Sequence, residues 1–369
     1  MSGHGGKLEG VEASRGAAAV LVVMVHVTSI LAQHNQYGVR VMGGLWLFGR
    51  AGVDFFFVLS GFIITFIHTR DFGQPDRFVS FWRKRVWRIY PVYWFATLGT
   101  QALLAFSPTA DRAEQNPWHI LASWLLVPEP AAPIVGVGWS LRHELVFYGF
   151  FGLLLLQRRV GATVLTAWAC GCVWNAGTIM ATGKPYFTGI AGDVVFRTFN
   201  LEFFFGMAVA FLVRKTAWRP RAILIAGVIL FMGNGLYESF GPPLPNEWPP
   251  HNALYAIGAA LMLYGTACLD LRRQWIVPRW ALALGSASYS IYLVHAPVAA
   301  VVAELIRRMR AAIPIPIPIE LTFIMTVGAG VIAGLIVHRL VERPVMRYAA
   351  RVNNRPPRVT TSGPGPSPA

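Results

Sequence analysis

Apolar stretches of about 17 to 25 residues, each long enough to cross a lipid bilayer as a helix, recur along the whole chain. Because backbone N–H and C=O groups find no water inside a bilayer, such stretches must satisfy these groups within helices. We therefore predict an all-α fold, a polytopic membrane bundle of about ten transmembrane helices. The predicted spans are 16–33, 44–68, 90–107, 138–156, 162–181, 198–213, 222–238, 252–270, 281–305 and 320–341.

The composition supports this class of protein. Charged residues make up 13% of the 369-residue chain and hydrophobic residues 55%, whereas a soluble domain carries about 25% charged residues. A soluble fold of this length would need more polar surface than the sequence provides, so contact with membrane lipid accounts for the difference. The segment 118–127 is apolar but too short to cross, and we predict an interfacial or re-entrant helix there.

Basic residues outnumber acidic ones, 32 to 17. They lie in short clusters between the apolar stretches and form no single stripe, which argues against a nucleic-acid partner. If the chain begins in the cytoplasm, 23 of the 32 fall in segments that alternation places inside and 7 in segments placed outside. The positive-inside rule therefore predicts that both termini are cytoplasmic, N-in and C-in.

The domain organisation is simple. We predict one membrane domain over residues 1–350 and a disordered cytoplasmic tail over residues 351–369, because the tail is rich in Pro, Gly and Ser and has little to bury. We predict no metal site, since the three cysteines, Cys170, Cys172 and Cys268, lie inside apolar segments without metal-ligand spacing.

Ionisable residues inside membrane spans are costly, so each one is a candidate functional residue. Arg15 and His26 lie eleven residues apart on the first span, which puts them on one helix face and about 16 Å apart along its axis. Glu12 can pair with Arg15. A base deep in the membrane and a cation at its mouth would suit a long phosphorylated donor. The structural alternative is that Arg15 marks the cytoplasmic boundary and His26 bonds a neighbouring helix.

A basic segment follows the second span on the same predicted side. Arg83, Lys84, Arg85 and Arg88 fall within six residues, and Trp82 and Trp87 lie directly beside them in the sequence. Guanidinium groups match the geometry of phosphate, and an indole ring can stack on adenine. The alternative is that this segment only anchors the topology with interfacial aromatic residues.

The fourth span carries Arg142, His143 and Glu144, with Glu144 about 9 Å from its outer end. This depth predicts that Glu144 approaches His26 and orients its imidazole, as a carboxylate does in a catalytic triad. Tyr148 shares the helix face of Glu144. The alternative is an ion pair of Arg142 or His143 that supports helix packing.

Asp54 lies one turn after Arg50 on the second span. We predict an intrahelical ion pair between these two residues and no catalytic role for Asp54. Ser60 and Gly61 are small, and we predict that they allow close approach of another helix.

These stretches occur in an order that resembles the acyltransferase 3 family of bacterial membrane acyltransferases. The resemblance covers residues 7–347, and the joint occurrence and order of its motifs are specific. The matching stretches are Arg15 to His26, residues 52–62, Arg83 to Pro91, residues 139–148, residues 288–295 and residues 342–344.

The resemblance implies that an acetyl or similar acyl group passes from cytoplasmic acyl-coenzyme A (acyl-CoA) to a hydroxyl group, commonly on an extracytoplasmic or lipid-linked glycan. It also implies a multi-pass protein of the bacterial inner membrane, most similar to exopolysaccharide O-acetyltransferases. His26 would act as the general base and Glu144 would orient it. Direct transfer and transfer through a covalent acyl intermediate both remain open. The donor's phosphates and adenosine would be bound by Arg15, Arg83, Arg85 and Arg88.

A transporter that uses buried Arg, His and Glu residues as a proton relay is the main alternative. Transporters of that kind usually contain internal repeats with paired broken helices, and the sequence shows none. A purely structural scaffold would not explain ionisable residues that reach mid-membrane from opposite sides.

Overall fold

The computed structural model of the chain describes residues 8–105, 116–243, 245, 248–312 and 316–353. Within these ranges the chain forms helices and no strand, so the all-α prediction is confirmed. The helices are α1 (Glu9–Leu31), α2 (Ala51–His68), α3 (Asp76–Ala105), α4 (Pro117–Leu125), α5 (Trp139–Leu156), α6 (Arg158–Thr182), α7 (Leu201–Lys215), α8 (Pro220–Phe240), α9 (Pro249–Leu271), α10 (Arg279–Ala312), α11 (Ile319–Val337) and α12 (Arg343–Asn353).

Eight helical segments of the described chain are long and apolar enough to cross a membrane. They contain α1, α2 and α6 to α11. The long helices α3 and α5 carry the charged clusters 83–88 and 142–144, which make them more polar. Each predicted span overlaps one of these helices, so the polytopic membrane bundle is confirmed. The number of crossings and the cytoplasmic position of the termini stay predictions. The short segment at 118–127 forms α4.

Helices α1 and α10 pack closely because glycines face each other where they cross. A Cβ atom on Gly16 would lie 2.7 Å from the backbone nitrogen of Gly285, and one on Gly285 would overlap the carbonyl oxygen of Glu12. Small residues let helix backbones approach in this way. The resulting register brings His26 of α1 against His295 of α10.

A side chain from α9 holds the first turn of α1. The Asp270 carboxylate accepts hydrogen bonds from the backbone N–H groups of Gly10 (2.8 Å) and Val11 (3.0 Å), and from the indole of Trp275 (2.7 Å). It thereby satisfies two of the N–H groups that a helix leaves unpaired at its amino end. Arg15 lies one turn beyond this anchor. We call the face of the bundle at which α1 begins the amino-terminal face.

Helices α2 and α7 also approach backbone to backbone. A Cβ atom on Gly61 would overlap the backbone of Phe203, and one on Gly206 would overlap the carbonyl oxygen of Val58. The predicted close approach at Gly61 is therefore confirmed, and its partner is α7.

Helix α12 was not predicted. A π-helical turn, His338–Glu342, joins it to α11, and the ring of Tyr348 packs on Trp87 of α3 with centroids 5.7 Å apart. Residues 351–353 of the predicted tail complete this helix. The rest of the tail, 354–369, lies outside the described residues.

The α2–α7 packing predicts a strong effect of a single methyl group. In Gly206→Ala the new Cβ must push the two backbones apart, and we expect a loss of about 1–3 kcal/mol in unfolding free energy. Gly233→Ala in α8 is the matched control, because a Cβ there meets nothing within 4 Å. The melting temperatures of the purified proteins in detergent measure both effects. Equal melting temperatures for the two variants would contradict the close packing.

Candidate functional site

A narrow cavity of about 150 Å³ lies inside the bundle near the amino-terminal face. Side chains of α1, α2, α3, α5 and α10 line it. Its polar lining includes three arginines and one carboxylate: Arg15, Arg85, Arg88 and Glu144. The buried Nε atoms of Arg15 and Arg85 have no hydrogen-bond partner among the described residues. Because buried donors are normally satisfied, these cations are suited to an anionic or polar ligand.

A wider vestibule of about 940 Å³ opens at the other face of the bundle. His26 lines it, together with the start of α5 and loop residues around 129–132, 193–199 and 238–245. Among the described residues its charged side chains are four arginines and four carboxyl groups: Arg40, Arg50, Arg142, Arg197, Asp54, Glu129, Asp193 and Glu238. The wall therefore offers both hydrogen-bond donors and acceptors.

Val53 and Tyr292 line both the narrow cavity and the vestibule. The Tyr292 hydroxyl donates a hydrogen bond to the carbonyl oxygen of Val137 (2.9 Å) and lies 2.7 Å from Ser140 Oγ. These contacts fix the aromatic ring between the two spaces. Val53 and Tyr292 are thus part of the septum between the two spaces.

The partner of His26 is a second histidine. His26 Nδ1 lies 2.8 Å from the carbonyl oxygen of Val22 and 3.2 Å from His295 Nε2. His295 Nδ1 in turn lies 3.1 Å from the carbonyl oxygen of Ile291. Since a carbonyl only accepts, each Nδ1 carries the hydrogen, and we infer that His26 Nε2 keeps a free lone pair. Among the described residues nothing donates to that nitrogen. A base poised this way beside the vestibule can accept a proton from a ligand.

The sequence analysis predicted that Glu144 approaches His26, but the structure does not bring the two residues together. Glu144 accepts hydrogen bonds from Ser60 of α2 (2.8 Å) and from Tyr148 one turn along α5. It lines the narrow cavity, whereas His26 lines the vestibule beyond Tyr292. The predicted shared face of Glu144 and Tyr148 is confirmed, but depth in the membrane did not reveal which neighbour Glu144 faces.

The four predicted donor-binding arginines separate into two groups. Arg15, Arg85 and Arg88 line the narrow cavity, whereas Arg83 is exposed and is not part of that lining. Arg85 lies over the Phe81 and Tyr148 rings. Arg83 precedes Arg85 by two positions on α3, and residues two apart on a helix point in different directions.

The other charged residues of α5 support the vestibule wall. Arg142 donates to the backbone carbonyls of Glu129 and Ala131 and pairs with the Glu129 carboxylate. His143 Nδ1 lies 3.0 Å from the side-chain oxygen of Asn200. The ion pair of Arg142 raised as an alternative from the sequence is thus present, and its partner Glu129 lies in the loop before α5.

Arg50 has a different partner from the predicted one. It pairs with Glu238 of α8, which also accepts from Tyr255 (2.6 Å). The predicted Arg50–Asp54 ion pair is thus corrected, because α8 places a carboxylate directly against the guanidinium.

Asp54 instead lies against Glu202 of α7. Asp54 Oδ1 and both carboxyl oxygens of Glu202 are buried and receive no hydrogen bond from another group among the described residues. Two facing carboxyl groups can satisfy each other only by sharing a proton.

His295 and Tyr292 are the site residues that sequence reasoning did not assign. Both belong to the stretch 288–295, and His295 is an ionisable residue in an apolar span. The cost of an ionisable side chain in lipid is the signal that marks His295 as a candidate site residue. It could not reveal that the ring meets His26 from a helix more than 260 residues later in the chain.

The fold and these two spaces define a multi-pass membrane protein with polar sites entering from opposite faces. A family model described as an acyltransferase domain matches residues 8–338. The chain therefore belongs to the acyltransferase 3 family, as the resemblance indicated.

Two relatives illustrate the range of this family. The exopolysaccharide production protein ExoZ of Rhizobium meliloti is 32% identical over 267 residues, which cover 69% of this chain and 78% of ExoZ. The acyltransferase MdmB of Streptomyces mycarofaciens is 26% identical over 323 residues, which cover 78% of each chain. No solved structure matches the chain.

The Asp54–Glu202 pair predicts that two substitutions of Glu202 differ in their effect on stability. In Glu202→Gln the carboxamide can donate an N–H to Asp54, so we expect an unchanged or higher melting temperature. In Glu202→Met the Asp54 carboxylate loses its partner, and we expect a loss of about 1–3 kcal/mol. Thermal unfolding in detergent measures both, and a methionine variant as stable as the glutamine variant would contradict the shared proton.

Proposed function

We propose that this protein is a membrane O-acyltransferase. It moves an acetyl or similar acyl group from cytoplasmic acyl-CoA to a hydroxyl group of an extracytoplasmic or lipid-linked glycan. The observation that carries the proposal is the meeting of two cavities from opposite faces at Val53 and Tyr292, beside His26. Family membership supports the acyltransferase class and does not favour the transporter alternative.

The narrow cavity suits the acyl-bearing arm of the donor. Its volume of about 150 Å³ is below the ~300–1,000 Å³ usual for small-molecule pockets, but it can admit a slender chain. Arg15, Arg85 and Arg88 supply positive charge along it. In this proposal the thioester lies next to Tyr292, and the amino-terminal face is cytoplasmic, which agrees with the excess of Lys and Arg in the segments on that side.

The vestibule suits an acceptor rich in hydroxyl groups. Within the described chain, equal numbers of guanidinium and carboxyl groups line it, so it can donate and accept hydrogen bonds without favouring a strongly charged ligand. The name of ExoZ refers to exopolysaccharide production, and this supports a glycan as the acceptor. We place the protein in the bacterial inner membrane, where a cytoplasmic donor and an external acceptor can both be reached.

His26 supplies the proton chemistry. Its Nε2 accepts the proton of the acceptor hydroxyl while that oxygen attacks the thioester carbonyl. A C–O bond forms, the C–S bond breaks, and the proton passes to the departing sulfur of coenzyme A. His295 holds the His26 ring in the required tautomer. Glu144 lies in the narrow cavity beside the arginines and does not orient His26.

Replacing the base tests the proposal directly. We expect His26→Ala to lower transfer of labelled acetyl groups from acetyl-CoA to the glycan fraction of membranes by at least about 100-fold, because general bases contribute that much or more. The amount of protein in the membrane should not change. His34→Ala is the control, since His34 is exposed in the loop after α1. Transfer at the wild-type rate in His26→Ala would refute the assignment.

The septum residue gives a second test. Tyr292→Ala removes the ring between the two spaces, so water from the vestibule can reach the thioester. We expect faster release of free coenzyme A without an acceptor and slower transfer with one. Tyr292→Phe is the matched control, because it keeps the ring and loses only the hydroxyl. If both variants hydrolyse acetyl-CoA at the wild-type rate, Tyr292 does not separate donor from water.

A further inference from the structure

A second polar depression lies on the amino-terminal face, outside the narrow cavity. It has two lobes of about 550 and 460 Å³ that share Glu12, Ser286, His338 and Arg343. We call it the arginine trough, after the six arginines that line it within the described part of the chain: Arg15, Arg88, Arg279, Arg339, Arg343 and Arg347. Glu12 and Glu342 are the carboxylates of this described lining, so its formal charge is strongly positive.

One of these carboxylates is already neutralised by neighbouring groups. Glu342 pairs with Arg88 and with His338 (2.8 Å), and it accepts a hydrogen bond from Ser290 (2.7 Å). Glu12 lies on α1 and Glu342 on the π-helical turn before α12. Helix α12 itself contributes arginines and no carboxylate to the trough.

Arg343 and Arg347 are the cations of the trough that α12 contributes. They lie one turn apart, both are exposed, and neither has a carboxylate partner among the described residues. The packing of Tyr348 on Trp87 holds this helix against α3. Two guanidinium groups on a fixed helix, one turn apart, suit a ligand with several phosphate groups.

The trough adjoins the narrow cavity. Arg15 and Arg88 line both, so a ligand that extended from the trough into the narrow cavity would pass these two side chains. The narrow cavity is too small for a nucleotide, whereas each lobe of the trough falls within the ~300–1,000 Å³ range of small-molecule sites.

We propose that the arginine trough binds the adenosine 3′-phosphate 5′-diphosphate end of acyl-CoA, and that Arg343 and Arg347 of α12 contact its phosphates. This inference rests on the proposed function and extends it to a part of the chain that the donor prediction did not include. The pantetheine arm then passes Arg15 and Arg88 into the narrow cavity. Helix α12 is thereby part of the donor site and not only an end of the bundle.

The test compares two donors that differ in the part the trough would hold. Acetyl-CoA carries the nucleotide, and acetylpantetheine carries only the arm and the thioester. In Arg343→Ala/Arg347→Ala we expect KM for acetyl-CoA to rise about tenfold or more, because hydrogen bonds to charged groups are lost. We expect kcat to change little and KM for acetylpantetheine to stay at the wild-type value.

Arg351→Ala is the matched control, since Arg351 is an exposed arginine of the same helix outside the trough lining. We expect its KM for both donors to equal that of the wild type. A double variant with unchanged KM for acetyl-CoA would overturn the proposal. An equal loss with both donors would also overturn it, because it would indicate damage to the fold.

The phosphate of an anionic lipid offers the same chemistry, so the assay is run in nanodiscs of phosphatidylcholine alone and with phosphatidylglycerol. The proposal requires the same rise in KM in both. A defect that appears only with phosphatidylglycerol would assign the trough to a lipid headgroup and refute the proposal. Absence of transfer from acetyl-CoA by the wild-type protein would instead refute the proposed function itself.

Discussion

The close packing of α1 against α10 is the contact on which the candidate site depends. With hydrogen atoms as their only side chains, Gly16 and Gly285 let the two backbones meet, and Asp270 anchors the first turn of α1 against α9. This arrangement sets the depth of every side chain on α1. Arg15 reaches the narrow cavity, and His26 reaches His295 and the vestibule. A shift along this interface would separate the two imidazoles and misplace Arg15.

Burial of polar groups explains why most charged side chains of the bundle have a specific partner. An unpaired polar group is costly away from water, and the bundle supplies a partner in most places: Arg142 with Glu129, Arg50 with Glu238, and Arg88 with Glu342. Some buried donors keep no partner among the described residues, including the Nε atoms of Arg15 and Arg85 in the narrow cavity and of Arg142 in the vestibule. A ligand bound in either space can complete this hydrogen bonding.

Several features were predicted correctly because they depend on local sequence. Apolar length located the helices. The cost of buried charge selected Arg15 and His26, and the basic segment selected Arg85 and Arg88. The structure places these four side chains on cavity walls, and their roles stay predictions. Contacts between distant helices were harder to predict. The Glu144–His26 contact failed because depth does not specify rotation about the helix axis, and the Arg50–Asp54 pair failed because Glu238 comes from α8. Arg83 was grouped with Arg85 by proximity in sequence, although the two side chains point in different directions.

The sequence by itself determined that the chain is an all-α membrane bundle, which family it belongs to, and which spans carry ionisable groups. These properties follow from hydropathy, charge and motif order, which are read along the chain. Only the tertiary structure decided that His295 is the partner of His26, that Tyr292 and Val53 line two cavities, and that α12 lines a trough together with Arg15 and Arg88. The physical reason is that each of these contacts joins helices far apart in sequence, and helix packing alone sets which faces meet.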